Sequence, residues 1–296
     1  MKIGLAGIGR MGAAIATRLM ECGHDISVWN RTPDKIQALV RAGARATTAP
    51  AELAGDSEAL ITILTDAPAI DAVYRSDNGL LSGMRPGQLV IEMSTVRPEV
   101  KRTLAEAVRR RGAALVDCPV GGSTGAALEG KLLGFAGGEQ SDFEQAKPIL
   151  ERLCRRLEYL GPVGAGASMK LAINLPLLVY WQALGEALVL CRPLGLGPDK
   201  VMDIFADTSG APNVLKVRGG KIAAALGNHD TGPVTFDVDS IRKDLRTMIE
   251  EAQALGATLP VAERALACFD EASRAGLGSS DGVALPARWA LKSVQP

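Results

Sequence analysis

Residues 2–29 hold the pattern that most narrows what this chain can fold into. Lys2-Ile3-Gly4-Leu5-Ala6 is a short apolar run with strand character, and Gly7-Ile8-Gly9-Arg10-Met11-Gly12 follows it directly. Ala13 to Met20 then has helical spacing, and Asp25-Ile26-Ser27-Val28-Trp29 reads as a second strand. A strand, a glycine turn, a helix and a strand form the unit that rests a pyrophosphate on a helix N-terminus. The string G-x-G-x-x-G alone is common, and methyltransferases use a related loop. Its flanking elements make it a dinucleotide signature. Gly7, Ile8, Gly9, Arg10, Met11 and Gly12 are therefore candidate cofactor-binding residues.

In an NAD site, an acidic residue about 20 positions on, at the end of the second strand, holds the adenosine ribose. Here that position reads Asn30-Arg31-Thr32, and the next carboxylate is Asp34. The Arg31 guanidinium suits a 2′-phosphate that a carboxylate would repel, while Asn30 and Thr32 add neutral polar groups. The sequence thus favours NADP over NAD. The bland alternative is that Arg31 only solvates the loop before a helix starting near Pro33.

With 296 residues, 47% of them hydrophobic, the chain can bury a sizeable core in two domains. Ala59 to Leu64, Leu89 to Met93, Ala114 to Val116 and Leu132 to Ala136 read as strands; Ala69 to Tyr74, Pro98 to Arg110 and Asp142 to Arg155 read as helices. Such alternation predicts a mostly parallel sheet wound with helices on both faces. Beyond Gly161 to Gly166 the strand signals fade into helical spacing, broken at Pro193 to Pro198, Gly210 to Pro212, Gly227 to Pro233 and Gly276 to Gly282. The expected fold class is α/β: an N-terminal Rossmann-type doubly wound sheet over 1–162, then an all-α domain over 163–296. A long helix over about 168–192 joins them, and Pro176 is expected to kink it or open it locally.

The run Gly164-Ala165-Gly166-Ala167-Ser168-Met169-Lys170-Leu171-Ala172-Ile173-Asn174 puts an amine and an amide four residues apart. On a helix that is a rise of about 6 Å on one face, so both side chains can reach one small substrate. The preceding glycines are expected to let backbone approach a ligand and to leave the helix N-terminus open toward it. Taken singly, a lysine is usually a solvated charge and an asparagine a surface amide. Leu171 to Cys191 is almost wholly apolar, however, and is expected to be buried. A lysine entering such a helix needs a partner or a chemical role.

Lys plus Arg number 33 and Asp plus Glu number 33, a balance that points to neither a nucleic-acid nor a membrane surface. The first strand begins at residue 2 with no basic-then-apolar leader, so a cytoplasmic location is expected. Asn174, Gln182 and Glu186 mark the apolar stretch as a buried helix rather than a membrane span. Five cysteines without C-x-x-C spacing and two histidines offer no metal cluster, so reduced and mostly buried thiols are expected.

With these residues in view the chain resembles the β-hydroxyacid dehydrogenase family, which includes 3-hydroxyisobutyrate dehydrogenases and glyoxylate or succinic semialdehyde, tartronate semialdehyde and sulfolactaldehyde reductases. Four motifs in order carry the resemblance over nearly the whole length. They are Gly7 to Gly12 extended to Leu19, Asp117-Cys118-Pro119-Val120-Gly121-Gly122-Ser123, Gly164 to Asn174, and Lys243-Asp244-Leu245. The resemblance implies hydride transfer between a nicotinamide and a small aldehyde, keto or hydroxy acid. Lys170 would act as general acid or base, and Asn174 would hold Lys170 or the substrate. It also implies that Leu64, Thr65, Asp66 and Thr95 line the cofactor and that Lys243 contacts it. From the residues alone, Thr95 could equally cap the Pro98 helix.

The family's usual serine in the second motif is Gly121 here, with Ser123 two residues later. Backbone amides of Gly121, Gly122 and Ser123 are then expected to bind the substrate's acid group as an anion nest, although these residues could also form only a flexible turn. A sulfonate is not indicated, because Gly122 stands where the sulfolactaldehyde reductases carry Arg. Imine reduction on C=N substrates and a non-catalytic dinucleotide-binding scaffold are the alternatives, and Lys170 argues against both. A homodimer or homotetramer is expected, as in relatives. Met11 and Trp181 read as core, and no role follows for Asp281.

Overall fold

The computed structural model describes residues 1–291. They form two compact units, Met1–Leu171 and Ala172 onward, which divide inside one long helix.

The first unit opens with β1 (Lys2–Ala6), α1 (Arg10–Glu21), β2 (Asp25–Trp29), α2 (Gln37–Arg41), β3 (Arg45–Ala46) and α3 (Pro50–Asp56). It continues through β4 (Ala59–Thr62), α4 (Ala67–Arg75), α5 (Leu80–Gly83), β5 (Leu89–Glu92), α6 (Pro98–Arg109) and β6 (Ala114–Asp117). These six strands make one parallel sheet in the order β3-β2-β1-β4-β5-β6. Because helices cover both faces, the strands are apolar on both sides and alternate between two cores. Ile3, Leu5, Ile61, Ile91 and Val116 share one core with Ile15 and Leu19 of α1. Ala6, Leu60, Val90 and Leu115 turn the other way, toward Leu53, Ile70, Tyr74 and Leu104. The expected doubly wound sheet is present.

Beyond it lie β7 (Val120–Gly121), α7 (Thr124–Leu128), β8 (Leu132–Ala136), α8 (Gln140–Leu150) and β9 (Cys154–Tyr159). Here the sequence reading needs correction: the helix expected to reach Arg155 ends at Leu150, and Cys154 to Tyr159 is a strand. β9 pairs with β8 in parallel and β7 pairs with β8 antiparallel, giving a second sheet of three strands. Asp117 and Gly137 exchange backbone hydrogen bonds of 2.8 and 2.9 Å, which tie β6 to this sheet.

α9 (Ala165–Cys191) runs without interruption through Pro176, so the expected local opening is absent. The second unit adds α10 (Pro198–Ala206), α11 (Asn213–Leu226), α12 (Val238–Ala254), α13 (Pro260–Ala272) and α14 (Ala284–Leu291). Four inter-helix breaks fall where proline and glycine predict them; the fifth, between Ala254 and Pro260, also holds Gly256. Asp281, buried before α14, accepts from the Thr235 amide and hydroxyl, both at 2.9 Å, and from Arg218 at 3.0 Å. Burial pushes the Asp281 carboxyl up, but the Thr235 donors and Arg218 outweigh it and hold it below its usual range. Asp281 is thus a structural knot joining α11 to the entrance of α12.

The expectation that Leu171 to Cys191 is buried holds for one side of α9 only. Leu178, Trp181, Leu184 and Leu188 are buried, whereas Ile173, Pro176, Ala183 and Leu190 are exposed, Leu190 at 80%. The exposed set recurs at helical spacing and forms an apolar stripe.

Candidate active site

The loops leaving β1, β2, β4, β5 and β6 line the carboxyl edge of the parallel sheet, flanking the switch point between β1 and β4. The three motif glycines divide their tasks there. Gly7 has φ of +98°, and an added Cβ would stand 2.2 Å from the Ile63 carbonyl oxygen. At Gly12 it would stand 2.2 Å from the Gly7 oxygen. Both are glycine because backbone passes that closely. At Gly9 an added Cβ meets nothing within 4 Å. Gly9 is the N-cap of α1, with no side-chain cap, and no acidic residue stands in the first turn. Open space in front of uncapped amides at the positive end of a helix fits a pyrophosphate.

Asn30 ties this turn to β2. Its Oδ1 accepts from the Ile8 amide at 3.0 Å, and its Nδ2 donates to the Thr32 carbonyl at 3.0 Å. Arg31 and Thr32 are exposed, and Arg31 makes no ion pair among the described residues. Past β4, the Leu64 amide donates to Ser94 Oγ at 2.7 Å. Asp66 caps α4, accepting from the Ala69 amide at 2.8 Å, and Thr65 is exposed. Thr95 is half-buried and does not cap α6, whose N-cap position is Arg97.

The start of α9 departs from expectation. Its N-terminus is not open to a ligand: the buried Asp117 carboxylate accepts from the Gly164 amide at 2.8 Å and the Ala167 amide at 2.9 Å. An added Cβ at Gly166 would lie 2.1 Å from the Phe135 oxygen and 3.0 Å from Asp117 Oδ2. Gly166 therefore serves close packing of the helix onto the end of β6, not approach to a ligand. Burial pushes the Asp117 carboxyl up to about 6, partly opposed by the Lys101 charge and the two helix amides. Burial also raises the neighbouring Cys118 thiol well above its usual value.

Gly121 pairs with Leu133 across the second sheet, and Gly122 sits at φ +130°. Ser123 Oγ accepts from the Ala126 amide at 3.3 Å and caps α7, so this hydroxyl is engaged in a helix start. Lys170 is half-buried on α9, and Asn174 follows it one turn along the same helix at 9% exposure. In the second unit Lys243 is half-buried on α12 and ion-paired to the buried Asp244.

Glu92, Ser94, Lys101 and Asp117 received no role from sequence reasoning. The available signals were an acid inside the apolar run Leu89-Val90-Ile91-Glu92-Met93 and an aspartate closing a buried strand. Groups of that kind are buried only with partners.

The sheet and its glycine turn define a dinucleotide-binding fold. Residues 2–161 match the family described as the NAD-binding domain of 6-phosphogluconate dehydrogenase. Residues 164–288 match the one described as the NAD-binding domain of NADP-dependent 3-hydroxyisobutyrate dehydrogenase. Glyoxylate/succinic semialdehyde reductase 1 of Arabidopsis thaliana is 33% identical, covering 95% of this chain and 96% of that protein. The NAD-dependent L-serine dehydrogenase of Pseudomonas aeruginosa is 31% identical, covering 95% of each. A crystal structure of 3-hydroxyisobutyrate dehydrogenase from Salmonella typhimurium superposes with a TM-score of 0.87 at 26% identity, covering 97% of this chain and 99% of that one. The chain belongs to the β-hydroxyacid dehydrogenase family, which supports NAD(P)-dependent hydroxy-acid dehydrogenase activity.

Proposed function

We infer that this protein is an NADPH-dependent reductase of small aldehyde or keto acids, running in reverse on the hydroxy acids, with Lys170 as general acid and base. The observation that carries this reading is the anchoring of α9. Its first turn is held by Asp117 at the end of β6, on the same sheet edge as the glycine turn and the loops after β4 and β5. Lys170 follows within the next turn. Bound NADPH supplies the hydride. Lys170 as an ammonium stabilises the developing alkoxide and donates an Nζ proton to it; in the reverse direction neutral Lys170 accepts the hydroxyl proton. Asn174, one turn on, orients the Lys170 amine or the substrate oxygen. The Gly122 and Ser123 amides receive the substrate's carboxylate, since no hydroxyl stands at Gly121 and the Gly121 amide, expected to join them, is held in the β7–β8 ladder opposite Leu133.

For the cofactor, Gly7 to Gly12 take the pyrophosphate, Asn30 to Thr32 the adenosine end, Leu64 to Asp66 and Thr95 the nicotinamide side, and Lys243 is a further cofactor-binding residue. The exposed Arg31, with no carboxylate before Asp34, supports NADP. So does the match to an NADP-dependent family, whereas the L-serine dehydrogenase relative uses NAD. The apolar stripe of α9 supports assembly as a homodimer or homotetramer.

The test is oxidation of NADPH and NADH by the purified protein with glyoxylate, succinic semialdehyde, tartronate semialdehyde and a panel of cyclic imines. Turnover of an acid aldehyde with NADPH favoured is expected. Faster turnover of an imine than of any acid would reassign the substrate class, and NADPH binding without any turnover would reduce the protein to a scaffold.

A further inference from the structure

Below the loops after β4, β5 and β6 lies a buried charge network that the proposed chemistry does not use. Glu92 closes β5 and Lys101 stands on α6; both are fully buried and form an ion pair. Lys101 Nζ also donates to the Glu92 carbonyl at 3.2 Å. Glu92 Oε1 accepts from the Ser94 amide at 3.1 Å and from the Ser94 hydroxyl, and that same hydroxyl accepts from the Leu64 amide. Asp117, whose carboxylate holds the Gly164 and Ala167 amides at the start of α9, stands opposite Glu92 in the β5–β6 pairing, and the Lys101 charge also draws its carboxyl down.

One ammonium therefore serves two carboxylates with different tasks. Glu92, through Ser94, fixes the loop that begins at Leu64. Asp117 fixes the helix that carries Lys170. Burying three charges is not the economical way to stabilise a core, since apolar replacements of similar volume are often as stable. We propose that Lys101 is a positioning residue that, through Glu92 and Asp117, registers the cofactor-side loop at Leu64 and the Lys170 helix to one frame.

This inference rests on the proposed roles of Leu64 and Lys170. Its test uses the whole chain as Glu92→Gln/Lys101→Met, which removes the ion pair together and leaves no orphaned partner between these two residues, with Lys101→Met alone as the second variant. Three readouts are needed: thermal midpoint, hydrogen exchange of backbone amides, and steady-state kinetics with NADPH. The double variant is expected to melt near the wild type, while amides of 63–66 and 164–170 exchange at least about tenfold faster and other core amides do not. Its kcat is expected to fall about tenfold or more, with KM for the acid changed less, because a misplacement of about 1 Å can cost about a hundredfold. Lys101→Met, which leaves two buried carboxylates without their cation, is expected to melt lower than the double variant.

Wild-type exchange at both segments and wild-type kcat in the double variant would overturn the proposal. Faster exchange spread evenly through the unit would also overturn it, by making the pair a general stabiliser. If the wild type reduces none of the acids, the proposed function has failed on its own control. The exchange readout then still decides whether the network holds the two segments.

Discussion

The two glycines Gly9 and Gly12 stand three residues apart, yet alanine should affect them in opposite ways. At Gly12 the new Cβ would lie 2.2 Å from the Gly7 oxygen, more than 1 Å inside van der Waals contact with a backbone atom that cannot turn aside. Such overpacking costs about 1–3 kcal/mol or more. For a unit of this size that lowers the melting midpoint by roughly 2–12 °C. At Gly9 the Cβ enters space with no atom within 4 Å, at φ −86°, which any residue adopts. Gly9→Ala should keep or slightly raise stability, by about 0.4–1 kcal/mol. That same space is where the pyrophosphate is proposed to sit. Displacing one hydrogen bond to a charged oxygen costs about 1.5–3 kcal/mol, a weakening of roughly 10–150-fold in Kd. Thermal unfolding with NADPH fluorescence titration of both variants separates the two effects. Wild-type NADPH affinity in Gly9→Ala would refute the assignment of the glycine turn to the pyrophosphate. An unchanged melting midpoint in Gly12→Ala would refute the packing argument.

Three further outcomes are expected. Arg31→Ala should lower the ratio of NADPH to NADH efficiency about 10–150-fold, the worth of one charge-assisted contact; an unchanged ratio counts against the 2′-phosphate role. Because the Asp281 carboxyl lies below its usual value in the folded chain, its stabilisation is present above an unfolded pKa of about 3.9 and is lost as pH falls through the folded value. Urea unfolding should therefore find the gap between wild type and Asp281→Asn widest near neutrality and closing below about pH 4, whereas a pH-independent gap would contradict the assigned shift. Leu190→Glu, on the exposed stripe of α9, should shift the mass measured by light scattering toward the monomer; an unchanged mass would place the interface elsewhere.

The fold is legible wherever apolar periodicity and punctuation agree. Lys2 to Ala6 and Asp25 to Trp29 have the bounds the residues suggest, because parallel strands covered on both faces must be apolar throughout. Cys154 to Tyr159 is not legible. It is a strand at the margin of a small sheet, with Arg155, Arg156 and Glu158 hiding its pattern and a register shift against β8 at Leu132 and Leu133. Individual site residues are visible by type, but their partners lie far along the chain. Gly164 to Gly166 look like ligand-approach glycines until Asp117, 47 residues before Gly164, fills the helix start. Glu92 and Lys101 are nine residues apart, in an expected strand and an expected helix; only the packing of α6 against the sheet brings them together. The apolar length of α9 is plain in the sequence, but which side stays uncovered depends on where the other helices end.

The central claim is that Lys170 moves the proton. The measurement that tests it most directly compares wild type and Lys170→Ala for NADPH affinity and for kcat on the preferred acid aldehyde. Unchanged cofactor affinity with kcat lowered about 10²–10⁴-fold is the predicted result. A variant that binds NADPH and turns over at the wild-type rate would contradict the account and move the general acid to another residue.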